Sequence, residues 1–163
     1  MQKYRTDKRL FLPRTVDNTY RGLPVARYVF YVIAAFTVIR SVLHIALPDG
    51  GAGSIATIPL GAYGQAAAGG VVYMFGVWGV SQLLMGAFYW IVVLRYKSLI
   101  PLMYAFVAVE YAARIAVGHV HPVALMGVAP GEVGNYILLP LAALMLLLSI
   151  TYRERRSPES RMR

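Results

Sequence analysis

The chain alternates four long apolar stretches with segments rich in glycine, proline or charge. An α-helix of about 20 apolar residues is long enough to cross the hydrocarbon core of a bilayer. We therefore predict an all-α protein, a four-transmembrane-helix antiparallel bundle. The predicted helices run over about 25–47, 71–94, 99–118 and 132–152.

The segments between the helices predict how the helices are joined. The sequence Pro-Asp-Gly-Gly at 48–51 is a strong turn signal and opens a loop expected over 48–70. The turn at 95–98 is so short that the second and third helices are expected to pack side by side. We expect Ser98 to cap the third helix and Pro140 to kink the fourth.

Basic residues are concentrated outside the apolar stretches. Of the 16 Lys and Arg residues, only Arg40 and Arg114 lie deep within a predicted helix. The others lie at 1–27, in the 95–98 turn and from 153 onward, which by the positive-inside rule predicts that both termini are cytoplasmic. We expect a basic cytoplasmic tail at 1–24 that is not cleaved as a signal peptide, a transmembrane domain at 25–152, and a mobile basic cytoplasmic tail at 153–163.

Composition narrows the class of protein further. With 58% hydrophobic and 14% charged residues, the chain is typical of an integral membrane protein, here expected in a bacterial inner membrane. It has 0 cysteines, which excludes disulfides, thiolate metal sites and a cysteine nucleophile. The net charge of +9 lies mainly in the tails, and we interpret it as attraction to anionic lipid headgroups, with no nucleic-acid partner.

The candidate functional residues are Arg40, Glu110 and Arg114, since a charged side chain in hydrocarbon persists only where it is paired or functional. Counted from the cytoplasmic helix ends at 1.5 Å per residue, the two arginines lie about 22 Å deep, Glu110 about 16 Å and Gln82 about 18 Å. Glu110 and Arg114 are four residues apart and share a helix face. These residues therefore predict one intramembrane Arg-Glu-Arg polar site.

One carboxylate facing two guanidinium groups leaves a net positive charge, which suits an anion or a polarised oxygen. Our first hypothesis is a membrane protein that binds or helps to transport a small anionic or carbonyl-bearing molecule, or a lipid headgroup, reached from the outer side. A purely structural Arg-Glu-Arg clamp is the alternative. The candidate ligand-binding residues are Arg40, Glu110, Arg114, Gln82, Ser41, His44 and Asn135.

The three histidines, His44, His119 and His121, are predicted on the side opposite the basic segments. They are the candidate ligands of a haem or metal, which is the third functional hypothesis. No metal-binding motif surrounds them, so we expect no cofactor and no bound metal. No residue is assigned a catalytic role and an enzyme is not favoured, because no nucleophile or metal is predicted beside the acid/base groups.

The second hypothesis, from a different class, is an accessory or structural subunit of a larger membrane complex. Gly79 and Gly86 are seven residues apart and lie near one face of the second helix. Small residues let helices approach closely in a membrane, either within the bundle or against a partner subunit or second copy of the chain.

Four short motifs together resemble a group of small four-helix bacterial integral membrane proteins. They are Arg-Ser-Val-Leu-His at 40–44, Pro-Asp-Gly-Gly-Ala at 48–52, Glu-Tyr-Ala-Ala-Arg at 110–114 and Gly-Asn-Tyr-Ile-Leu-Leu-Pro at 134–140. The resemblance covers most of the chain and implies the four-helix fold. It implies no activity, cofactor or catalytic residue.

Overall fold

The structure, a computed structural model, describes residues 4–153 and is an all-α four-helix bundle in this range, as predicted. Its helices are α1, Pro24–Ala46; α2, Gln65–Arg95; α3, Ile100–Val120; and α4, Pro130–Ser149. Each is long and apolar enough to cross a membrane. The chain is therefore compatible with a small multi-pass membrane protein.

Two helix ends differ from the predicted bounds by more than two residues. α2 begins at Gln65 rather than near 71, so its 31 residues make a rod of about 46 Å, longer than the bilayer core of about 30 Å. α4 ends at Ser149, and Thr151–Arg153 form a short strand, β2, instead of a last helical turn. The loop after α1 is correspondingly shorter than the predicted 48–70. α4 continues through Pro140.

The helices pack mainly as two antiparallel pairs, α1 with α2 and α3 with α4. The expectation that α2 and α3 pack closely along their length is therefore wrong, although a tight turn joins them. Glycine explains the choice of partner. A Cβ atom built at Gly79 would lie 2.9 Å from the Cβ of His44, and one at Gly86 would lie 2.9 Å from Cγ2 of Val38. Glycines thus let the α2 backbone approach α1 more closely than larger residues would allow.

The hydrophobic core lies toward the end of the bundle where α1 begins. The ring of Phe30 packs edge-on against Tyr89 and Tyr104, with centroids 5.3 and 5.4 Å apart. The Tyr104 hydroxyl donates a hydrogen bond of 2.5 Å to the carbonyl of Ala26. The other buried members of this core are Ile33, Ala34, Val92, Val93, Ile100, Met103, Val107, Tyr111, Ala142 and Met145.

The N-terminal segment folds across this end of the bundle, which we call the basic end. The Ser98 hydroxyl accepts from the backbone N–H of Asp17 at 3.0 Å and donates to its carbonyl at 2.9 Å. Leu23 donates its N–H to the carbonyl of Leu148 at 3.1 Å, which fixes the segment against the end of α4. Ser98 is therefore a docking residue and not the predicted cap of α3.

A two-stranded antiparallel sheet completes the basic end. Strand β1, Tyr4–Thr6, pairs with β2 so that Arg5 lies opposite Tyr152. The segment predicted as a basic tail at 1–24 is thus folded against the bundle from residue 4 onward. The predicted mobility of 153–163 falls, beyond Arg153, on residues outside the described range.

At the other end, called the open end, a compact turn follows α1. Gly50 and Gly51 adopt φ angles of 59° and 75°, a region that glycine enters without strain. The Asp49 carboxylate accepts from the N–H groups of Gly51 and Gly53 at 2.9 and 3.1 Å. It also accepts from the N–H and hydroxyl of Ser54 at 2.6 and 3.1 Å. These donors, the Ser54 N–H foremost, hold the pKa of the Asp49 carboxyl below its ordinary value.

Two hydrogen bonds join the loops of the open end, 47–64 and 121–129. The N–H of Met126 donates to the carbonyl of Thr57 at 2.9 Å, and the Thr57 hydroxyl donates to the carbonyl of Gly127 at 3.1 Å. Thr57 has a φ of 57°, which is unfavourable for a β-branched residue. The contact between the loops therefore holds one residue in a strained conformation.

Candidate functional site

A cavity of about 760 Å³ lies between α1 and the α3–α4 pair and extends toward the open end. Most of its wall is apolar, and the apolar lining includes Phe36, Ile39, Leu43, Ile55, Phe75, Ile115, Val123, Leu125 and Leu138. Its polar and aromatic lining includes Arg40, His44, Trp78, Tyr111, Arg114, His119, His121, Glu132 and Asn135. A concave, largely apolar wall with a few converging polar groups is typical of a small-molecule site.

Arg40 and Arg114 line the inner end of the cavity, which we call the floor, whereas Gln82 and Glu110 do not line the cavity. A chain of hydrogen bonds that crosses three helices connects these four residues. Nη2 of Arg40 donates to Oε1 of Gln82 at 2.8 Å, and Nε2 of Gln82 donates to Oε1 of Glu110 at 2.9 Å. The same carboxylate oxygen accepts from Nε of Arg114 at 3.0 Å and forms an ion pair with its Nη2. The four side chains therefore form one connected network.

Charge is unevenly compensated in this network. Arg114 has Glu110 as its counter-ion, whereas Arg40 reaches that carboxylate only through Gln82 and makes no ion pair among residues 4–153. The sequence-based expectation that Glu110 contacts both arginines thus holds only for Arg114 at the level of direct bonds. Nε of Arg40 is also buried without a hydrogen-bond partner. A buried donor left unsatisfied costs about 1–3 kcal/mol, more when it is charged.

Trp78 organises the two guanidinium groups. The Cζ atom of Arg114 lies 4.7 Å from the centroid of the indole ring, and that of Arg40 lies 5.2 Å away. Both distances are within the range of a cation–π interaction. This role was not predictable from the sequence, because an aromatic residue in an apolar helix is equally typical of a core or lipid-facing position.

His44 is buried beside the same indole ring, with centroids 4.7 Å apart. Its Nδ1 lies 2.7 Å from the carbonyl of Gly50. A carbonyl can only accept, so Nδ1 carries the proton in this contact. His44 therefore ties the turn after α1 to the cavity wall.

Ser41 does not belong to the site. Its hydroxyl donates to the carbonyl of Thr37 at 2.6 Å, and the Thr37 hydroxyl donates to the carbonyl of Ile33 at 2.8 Å. Both hydroxyls are satisfied within their own helix, as is common for serine and threonine in apolar helices. The polar stripe on α1 consequently divides into Arg40 and His44, which line the cavity, and two small residues on the buried face of the helix.

The mouth of the cavity is polar and exposed. His119, His121, Glu132 and Asn135 line it, and Nδ1 of His119 lies 2.8 Å from the carbonyl of Ile115. Within residues 4–153, no group of three or more His, Cys, Asp or Glu side chains is placed to hold a metal ion. The three histidines are therefore not gathered into one coordination site.

No protein-family model, curated protein or solved structure matches the chain. The resemblance to small four-helix bacterial membrane proteins stays a prediction. The class of protein that the fold defines is a small multi-pass membrane protein, with four apolar helices within residues 4–153.

Proposed function

We propose that the protein binds, or helps to transport, a small anionic or carbonyl-bearing molecule or a lipid headgroup at Arg40 and Arg114. The observation that carries the proposal is the state of Arg40. Its side chain lines an open cavity, has a counter-charge only through Gln82, and has a buried Nε donor without a partner. An incoming anion would supply the direct counter-charge that Arg40 lacks.

The energetic argument is that a charge in a low-dielectric setting is costly unless it is paired or functional. A purely structural clamp would minimise that cost by placing its carboxylate directly between the two arginines. Glu110 instead gives its direct bonds to Arg114 and Gln82. The arrangement favours a site that is completed by a ligand.

Ligand-dependent thermal stabilisation of the purified protein tests this proposal. Wild type would be melted in neutral detergent with benzoate, inorganic phosphate or phosphatidylglycerol. A ligand that binds only the native state raises its stability by about 2.7 kcal/mol at a hundred times its dissociation constant. Arg40→Gln should fold and lose this stabilisation, while Arg95→Gln, a matched change on an exposed residue at the far end of α2, should retain it.

The structural alternative predicts a different pattern. Arg40→Gln would then lower the melting temperature without ligand, and none of the three compounds would stabilise wild type. That pattern would overturn the binding proposal. It would favour the accessory-subunit hypothesis, for which Gly79 and Gly86 offer no free surface because they pack against α1.

The same proposal includes an orientation, with both termini in the cytoplasm of a bacterium and the cavity facing outward across the inner membrane. The support is the clustering of basic residues at one end of the bundle, where anionic headgroups would attract them. The chain has 0 cysteines, so single cysteines can be placed cleanly. Thr15→Cys should react with an impermeant maleimide only in inverted vesicles, and Ala124→Cys only in intact cells. Labelling of Thr15→Cys in intact cells would reverse the orientation.

A further inference from the structure

We infer that the ligand of this cavity is an amphiphilic monocarboxylate, an acid with one negative charge on an extended apolar body. The inference rests on the proposed function and assigns the ligand's chemical class. Three features of the cavity carry it: the charge of its floor, the character of its wall, and the side on which it opens.

The charge at the floor favours a ligand with one negative charge. Arg40 and Arg114 contribute two positive charges and Glu110 contributes one negative charge, which leaves one positive charge uncompensated. A carboxylate would neutralise it and could accept hydrogen bonds from the guanidinium group of Arg40, which lines the cavity. A phosphate dianion would bring one negative charge more than is needed, and this excess charge would be repelled by Glu110.

The apolar wall of the cavity favours a ligand with an apolar body. The cavity holds about 760 Å³, within the range of about 300–1,000 Å³ that accommodates drug-sized ligands. A small hydrophilic anion at the floor would leave Phe36, Leu43, Ile115 and Leu138 uncovered. Burying apolar surface contributes about 25 cal/mol per Å², so an apolar body would add substantially to affinity.

Besides its polar mouth, the cavity reaches the membrane-facing side of α1. Phe36, Ile39 and Leu43 line the cavity and are also 49%, 60% and 40% exposed on the isolated bundle. Arg40, which lies among them, is six residues from the end of α1 at Ala46, or about 9 Å along the helix. The cavity thus opens at the level of lipid acyl chains, where an amphiphile would already be concentrated.

Fluorescence of Trp78 provides the test. The chain has 2 tryptophans, and Trp90→Phe leaves Trp78 as the only indole, in contact with both arginines. The protein would be placed in nanodiscs of phosphatidylcholine and titrated with dodecanoate, butyrate and dodecanol. We expect dodecanoate to bind at least tenfold more tightly than butyrate and than dodecanol, and Arg40→Gln to abolish the difference between acid and alcohol.

A cavity-filling variant separates specific binding from partition into the lipid. Gly118 lines the cavity, and a Cβ atom built there meets nothing within 4 Å, so Gly118→Leu should fill space without disturbing the fold. Gly76 is equally open but lies outside the lining, which makes Gly76→Leu the matched control. Gly118→Leu should weaken dodecanoate at least tenfold and leave butyrate unchanged, whereas Gly76→Leu should change neither.

Four outcomes would overturn the inference. Equal affinity for dodecanoate and butyrate would retain an anion site and reject the apolar body, so the proposed function would survive. If phosphatidylglycerol binds and dodecanoate does not, the inference about the ligand's class is rejected and the proposed function survives. Equal dodecanoate signals in wild type, Arg40→Gln and Gly118→Leu would mean lipid partition only. No response to any acid or headgroup would reject both proposals.

Discussion

The close approach of α1 and α2 can be tested by adding a single methyl group at Gly79. A Cβ atom there would lie 2.9 Å from the Cβ of His44, 3.1 Å from Cγ1 of Ile45 and 3.1 Å from the carbonyl oxygen of Ser41. Two of these neighbours are fixed by the backbone of α1 and cannot rotate away. Gly79→Ala should therefore push the two helices apart rather than displace one side chain.

Two opposing effects set the magnitude. Overpacking of a close contact costs about 1–3 kcal/mol. Alanine also favours the helix over glycine by about 1 kcal/mol. Gly79→Ala should thus change the free energy of unfolding by between about zero and 2 kcal/mol in the destabilising direction.

Gly76→Ala removes the uncertainty in helix propensity. Gly76 lies on the same helix, and a Cβ atom there meets nothing within 4 Å. It should be neutral or stabilising, so the two variants should differ by the overpacking cost alone, about 1–3 kcal/mol. The measurement is reversible unfolding in mixed micelles, with increasing dodecyl sulfate and far-ultraviolet circular dichroism. Equal free energies of unfolding for the two variants would refute the close approach.

Three further changes test other contacts. Glu110→Gln should lower the free energy of unfolding by about 1–3 kcal/mol more than Glu132→Gln does in the same micelle assay, because it leaves Arg114 without its counter-ion. Equal effects of the two changes would mean that the ion pair contributes nothing to stability. Tyr104→Phe should lower it by about 1 kcal/mol through the lost hydrogen bond at the basic end, and an unchanged value would contradict that bond. The pKa of the Asp49 carboxyl is depressed in the folded state, so its stabilisation is complete above the ordinary value of 3.8 and is lost as pH falls through the folded-state pKa. Asp49→Asn should therefore flatten the acid side of the stability profile in thermal melts, and an unaltered profile would reject the role of the turn.

Much of the fold follows from local pattern. Four apolar stretches with turn signals between them leave few alternatives to four helices, because a backbone in hydrocarbon must satisfy its own hydrogen bonds. The early start of α2 was not predicted, because residues 65–70 include two glycines, which disfavour a helix. The predicted helix at 71–94 was also already long enough to span a bilayer. The sequence indicated that Gly79 and Gly86 permit close packing within the bundle, but it did not identify α1 as the partner, because turn length fixes only which helices are consecutive.

The candidate site was predictable in depth but not in contacts. Counting residues from the helix ends placed Arg40, Gln82, Glu110 and Arg114 near one level, since helical rise is constant. The contacts between these side chains depend on how each helix is rotated about its own axis. The position of Gln82 between Arg40 and Glu110 could therefore not be derived from the sequence. The docking of the N-terminal segment rests largely on backbone hydrogen bonds, such as that of Leu23, which leave no pattern in the side chains.

The length of α2 has a consequence for motion at the open end. The turn after α1 meets α2 at Val72 and Phe75, so the helix from Gln65 onward projects beyond that turn by about 10 Å. Cβ atoms built at Gly69 and Gly70 meet nothing within 4 Å, so these turns are held mainly by their own hydrogen bonds. Such a segment opens locally at low free energy, and its amide hydrogens should exchange with solvent far sooner than those around Tyr89. The start of α2 can therefore open while the core at the basic end stays folded.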